Sequence, residues 1–217
     1  MVPNPALGSP TSWQLAHAAT RLAAAQFARC GFDVSVQHAA DWPVYDLVVA
    51  RVDTLLKVSV KGSQDGAWPL TQSYLKPGTD SSCGNANYLR AIDMWMNRHG
   101  SRAVCCLVQF QGVAIDQLPR IYLASPAEIA VRLRDAACGR GESTLREEWA
   151  SPGELSTTME RLPSNWLFST RRIEELAGRE GCSIPRPSAA KQPSSIKVPS
   201  FADPSALAQR ALVPLTA

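Results

Sequence analysis

Between Trp13 and Ala28 the apolar residues recur three and four apart: Leu15, Ala18, Ala19, Leu22, Ala25 and Ala28, with Phe27 beside the last. That period predicts an amphipathic helix, capped by Ser12, carrying Arg29 in its last turn and stopped at Gly31. The pattern then switches to alternation. Residues 32–37 (FDVSVQ) read as a strand entered directly from the helix, and 45–51 and 55–62 as two more. The short link Val52-Asp53-Thr54 makes the last two a hairpin. Along the third strand, Lys57, Ser59 and Lys61 share one face while Val58 and Val60 share the other.

Further on, QDGAWPLTQSYLKPGTDSSCGN is rich in Gly, Pro, Ser and Asn and predicts mostly loop. Residues 86–99 (ANYLRAIDMWMNRH) are helical up to Gly100, 103–111 form a fourth strand and 121–124 a short fifth. Ser125 and Pro126 then open a helix in the expected order, N-cap before proline, and it runs to about Ala137. Beyond Gly139 the periodicity fades. Residues 171–178 predict one short helix, preceded by NWLFS as a strand or packing segment. With no internal repeat, this order predicts an α/β fold: a mixed sheet flanked by helices.

Composition changes the picture mainly at the ends. Residues 1–11, with prolines among small residues, predict a mobile arm. From residue 183 the chain turns Pro- and Ser-rich, and IPRPSAAKQPSSIKVPS carries basic residues but no acid, so 183–217 is expected to be a disordered tail. Within it, ADPSALAQRALV is a short helix that needs a partner. Residues 12–138 form the expected core domain and 139–182 an extension packed on it. A hydrophobic fraction of 45% over 217 residues suffices for one core.

A net charge of +3 is compatible with a polyanionic partner without requiring one. No apolar run approaches the ~20 residues of a membrane span, so no membrane partner is expected. The first apolar segment lacks a signal-cleavage pattern. Cys30, Cys83, Cys105, Cys106, Cys138 and Cys182 form no CxxC pair and no Cys/His zinc spacing. They read as free thiols of a reducing cytoplasm, with Cys105 and Cys106 buried, inert and pointing to opposite faces of their strand. A nucleophile elbow, a P-loop and a dinucleotide fingerprint are all missing from the sequence.

The chemistry concentrates in YDLVVARVDTLLKVSVKGSQ. A helix ending in Gly31-Phe32, a strand, a strand opening on Asp46, a strand closing on VSVKGS, then a helix and a strand resemble the PD-(D/E)XK nuclease superfamily. That superfamily includes restriction endonucleases and Holliday-junction resolvases. The resemblance covers residues 12–112 and is greatest to small stand-alone members whose third strand reads VKxS. It implies a restriction-endonuclease-like fold with an α-β-β-β-α-β core, and a Mg²⁺- or Mn²⁺-dependent DNA endonuclease.

On that resemblance, Asp46 matches the first metal-binding acid, Lys61 the lysine that acts on the scissile phosphate, and the Val60 carbonyl a metal ligand. Ser63 and Gln64 match positions that meet backbone phosphates, with Lys57 an added phosphate contact. Gln14 and His17 lie near where many relatives carry a helix glutamate, and stand as accessory residues. DNA is the implied partner, and a homodimer is compatible with the family.

Ser59 stands where the second acid belongs, and a hydroxyl is a poor Mg²⁺ ligand. Asp65 and Asp93 are the acids nearest in sequence that could replace it. A second reading therefore stays open: a catalytically inactive nuclease-fold protein that binds nucleic acid or a protein, with Lys57, Lys61, Arg90 and Arg98 meeting phosphates. A third is an interaction module recruiting a partner through its C-terminal half and basic tail. Plain structural roles compete throughout: Asp46 as a strand-end cap, Lys57 and Lys61 as edge-strand lysines, His99 as a helix-terminal dipole partner, and Trp68 as the anchor of a packed loop.

Overall fold

A computed structural model of the chain describes residues 10–37, 45–52, 54–75, 84–100, 102–152 and 157–178. The expected arm and tail, Lys76, Cys83 and Cys182 lie outside these, apart from the arm's last two residues. The first helix, α1 (Ser12–Arg29), is capped by Thr11 and not by Ser12. The Thr11 hydroxyl accepts the Gln14 N–H at 3.2 Å, and Gln14 Oε1 accepts the Thr11 N–H at 2.9 Å. A capping box needs Glu or Gln three residues on, and only Thr11 has one there.

In chain order there follow β1 (Asp33–Val36), β2 (Leu47–Arg51), β3 (Thr54–Ser63), the two-residue β4 (Ala67–Trp68) and α2 (Gly84–Asn97). Then come β5 (Ala103–Gln109), β6 (Arg120–Ala124), α3 (Pro126–Arg140), β7 (Leu145–Arg146), β8 (Glu148–Pro152), β9 (Thr157–Arg161) and α4 (Thr170–Ala177). Five strands make one sheet in the order β1-β2-β3-β5-β6, in which only β3 and β5 run parallel, joined by the crossover through α2. The architecture is mixed α/β, a mixed central sheet with helices on both faces.

Each face has its own apolar layer. On one, Ala19, Ala23 and Phe27 of α1 and Ile173 and Leu176 of α4 cover Leu56, Val58 and Val60 of β3 together with Val104, Cys106 and Val108 of β5. On the other, Ile92 and Trp95 of α2 and Ile129, Leu133 and Ala137 of α3 cover Cys105, Leu107, Tyr122 and Ala124. Burial on both faces is why β5 reads as an unbroken apolar run, AVCCLVQ. The alanines of α1 let the helix ride directly on β3. A Cβ on Gly62 would lie 3.1 Å from both Ala19 Cβ and the Leu15 carbonyl oxygen.

The hairpin has unequal arms. β2 is 5 residues long and β3 is 10. The β2 register ends where Leu47 meets Val58, while β3 continues along β5 as far as Ser63 opposite Gln109. That overhang, with Asp46 at its inner corner, positions the candidate site.

The expected loop after β3 is partly ordered. β4 pairs with β7, Gln72–Tyr74 forms a 3-10 turn, and Trp68 is 1% exposed with its indole N–H on the Lys61 carbonyl at 3.1 Å. Trp68 is thus the anchor of a packed loop. The C-terminal extension adds the β8–β9 hairpin and a bridge from Leu167 to Tyr122. Arg172 is buried there, donating to the Leu123 carbonyl at 3.0 Å and to Glu128 at 2.7 Å. Among the described residues no helix is long and apolar enough to cross a membrane.

Candidate functional site

Asp46 sits where β2 gives out. Its N–H donates to the Val58 carbonyl at 2.8 Å, and its own carbonyl accepts the Gln37 N–H at 2.8 Å. Its carboxylate Oδ2 accepts the Val60 N–H at 2.6 Å, supplying a rung that β2 no longer provides. Asp46 therefore is a strand-end cap. It also lines a cleft of about 250 Å³, shared with Ser59, Lys61, Leu70, Ser73, Tyr74, Trp95, Arg98 and His99. Period-2 alternation brings Ser59 and Lys61 to this face, while Trp95 of α2 and Arg98 and His99 in the turn just after it also line the cleft.

His99 is held in one tautomer. Its Nδ1 lies 2.9 Å from the Trp95 carbonyl, which only accepts, so Nδ1 carries the proton and Nε2 keeps a lone pair. It is a helix-terminal partner, as its place in the sequence suggested, and a cleft residue as well. Burial lowers its pKa below the ordinary 6.5; the Trp95 carbonyl opposes this, and the positive charges of Lys61 and Arg98 reinforce it. Arg98 Nη1 also donates to the Tyr74 hydroxyl at 3.2 Å. At the outer end, Lys57 Nζ stands 5.1 Å from the Tyr45 ring centroid.

The donor set does not suit Mg²⁺. That ion takes near-octahedral oxygen ligands, carboxylates foremost. Among the described residues the cleft offers one carboxylate, with one oxygen already bonded to Val60, and the neutral Ser59 hydroxyl beside two cations. The Val60 carbonyl projects to the same strand edge as its N–H and adds a single neutral oxygen.

Neither sequence candidate for a second acid supplies the missing charge. Asp65 accepts from the Ser63 hydroxyl at 3.0 Å and the Ala67 N–H at 3.2 Å, and lines a different cleft with Arg120 and Glu147. Asp93 is paired with Arg134 at 2.6 Å. Among the described residues no three His, Cys, Asp or Glu side chains gather as a metal site.

The remaining sequence candidates divide. Ser63 is buried in the turn that Asp65 closes, and Gln64 is exposed just beyond it. Gln14 is engaged in the α1 capping box. His17 lies in a second cleft, also about 250 Å³, with Trp13, Thr20, Arg21, Val36 and Gln37, and Asp46 lines this one too. Burial raises the Cys105 thiol to about 12 and Cys106 higher still, so both are inert at neutral pH.

Sequence reasoning missed the roles of His99, Ser73 and Trp13. The available signal for His99 was its i,i+4 spacing from Trp95. Comparison with protein-family models, curated proteins and solved structures finds no match to this chain.

Proposed function

We propose that the chain is a divergent PD-(D/E)XK-type protein whose Asp46–Lys61 cleft binds the phosphodiester backbone of DNA without a divalent metal of its own. One observation carries this reading: among the described residues, Lys61 and Arg98 line the same cleft as one carboxylate, Asp46. Phosphate oxygens are acceptors only, and the Lys61 ammonium, the Arg98 guanidinium and the Ser59 and Ser73 hydroxyls are donors that match them. Asp46 shapes the cleft through Val60 and weakens the anion's binding by its charge.

A second reading, the Mg²⁺- or Mn²⁺-dependent endonuclease that the sequence resemblance implies, is favoured only by Asp46 and Lys61 lining one cleft.

Two measurements separate the readings. Fluorescence anisotropy with labelled DNA over a salt series is expected to show salt-dependent binding, and Lys61→Ala to reduce the slope by about one counterion. Asp46→Asn preserves an acceptor for the Val60 N–H and removes the charge, so it is expected to tighten binding several-fold. Supercoiled plasmid in Mg²⁺ or Mn²⁺ should stay intact. Nicking by the wild type that Asp46→Asn and Lys61→Ala both abolish would establish the endonuclease instead. Wild type that neither binds nor nicks refutes both.

A further inference from the structure

We infer that the second cleft beside Asp46 receives an unpaired nucleobase, so that the protein selects single-stranded nucleic acid over duplex; this rests on the phosphodiester reading of the first cleft. Trp13 is 67% exposed on the first turn of α1. An open indole is the usual platform on which proteins stack bases without regard to sequence. His17, one turn later, lies against it with ring centroids 4.1 Å apart and planes at 48°. The imidazole therefore tilts over part of the indole, and the rest of the side chain stays open to solvent.

Charge and continuity argue for a nucleic-acid occupant. α1 contains no Asp or Glu along its whole length, and Arg21 adds a cation to the cleft wall. Gln37 Nε2 donates to the Ser35 hydroxyl at 3.1 Å, which leaves the amide oxygen as an acceptor for a base edge. Asp46 lines both clefts, so a strand with its phosphate at Lys61 has the aromatic cleft as its next recess. Paired bases remain stacked inside a duplex and cannot enter such a recess, whereas a single strand can splay one out.

The test compares anisotropy titrations of a labelled oligothymidylate, the matching oligouridylate, the oligothymidylate with abasic sites, and a blunt duplex. Trp13→Ala is expected to weaken single-strand binding roughly five- to a hundred-fold and Trp13→Phe far less, with duplex binding unchanged within about two-fold. Abasic sites should weaken wild type and leave Trp13→Ala indifferent. The uridylate arm decides between DNA and RNA as the source of the base. Lys61→Ala should weaken single strand and duplex alike.

Thermal melting of Trp13→Ala at the wild-type temperature confirms that the exposed residue does not carry the fold. Equal losses for single strand and duplex, or no loss at all, overturn the inference while the phosphodiester reading stands. Failure of wild-type protein to bind any probe overturns both.

Discussion

His99 combines a fixed tautomer, a low-dielectric setting and two neighbouring cations, and these make its titration measurable in two ways. Its folded pKa lies below the ordinary 6.5, so between those values the unfolded chain binds more protons and stability rises with pH. As pH falls from 6.5 through the folded value, stability is lost, and His99→Gln should shrink that loss in thermal melts taken across the window. A phosphodiester in the cleft favours imidazolium, so binding takes up a proton. Affinity should rise as pH falls below 6.5 toward the folded value, and His99→Gln should flatten the trend.

Much at this scale was readable in the sequence. The common face of Lys57, Ser59 and Lys61 follows from strand period alone, and the inertness of Cys105 and Cys106 from their apolar setting. Arg98 was grouped with Lys61 from the sequence and lies in the same cleft, whereas the place of His99 there was not readable, because it depends on how α2 crosses the sheet.

Among elements, the contact of α1 with β3 turns on one glycine. Glycine weakens a strand interior, yet at position 62 a methyl group would press on the Leu15 carbonyl and on Ala19, both fixed within a helix. Gly62→Ala is expected to destabilise by about 1–3 kcal/mol, read as a lower urea midpoint with the same slope. Because α1 also carries Trp13, its displacement should weaken single-strand binding more than duplex binding.

The elements legible in the sequence are those specified locally: α1 by its period and Gly31, the β2–β3 hairpin by its alternating arms, α3 by Ser125 and Pro126. The cap at Thr11 was legible in principle through Gln14. β4 and β7 were not, since Trp68 opposes Leu145 across a long stretch of chain and two residues carry no periodicity; the β8–β9 hairpin was not, since EWASP and TTMER lack a clean apolar alternation.

For the molecule as a whole, Glu147 ties the C-terminal extension to the sheet. Its N–H donates to the Gly66 carbonyl at 2.8 Å and its carbonyl accepts the Leu162 N–H at 2.9 Å. Its side chain, 8% exposed, accepts from Arg120 at 2.6 and 2.8 Å and from the Tyr122 hydroxyl at 2.5 Å. Burial alone would raise its pKa, but these bonds reverse the effect and hold it below the ordinary 4.5. Its stabilising contribution is therefore present above pH 4.5 and lost as pH falls through the folded value. Glu147→Ala should lower stability by about 1–3 kcal/mol at neutral pH, since it leaves the buried Tyr122 hydroxyl unpaired while Arg120 keeps the Gln111 carbonyl and solvent, with Glu147→Gln losing less. Thermal melting of both variants at neutral and acid pH checks this.

The adjacent thiols of β5 give the two layers separate clocks. Cys105 belongs to the layer under α2 and α3, Cys106 to the layer under α1 and α4. Neither reacts while its layer is closed, so alkylation of each, followed by mass spectrometry of the β5 peptide, times the breathing of one layer. With Cys30, Cys83, Cys138 and Cys182 replaced by serine, equal rates at the two sites would mean that the layers open together. Unequal rates would mean that one half of the molecule loosens while the other holds, a distinction that two neighbouring atoms in a single strand are placed to record.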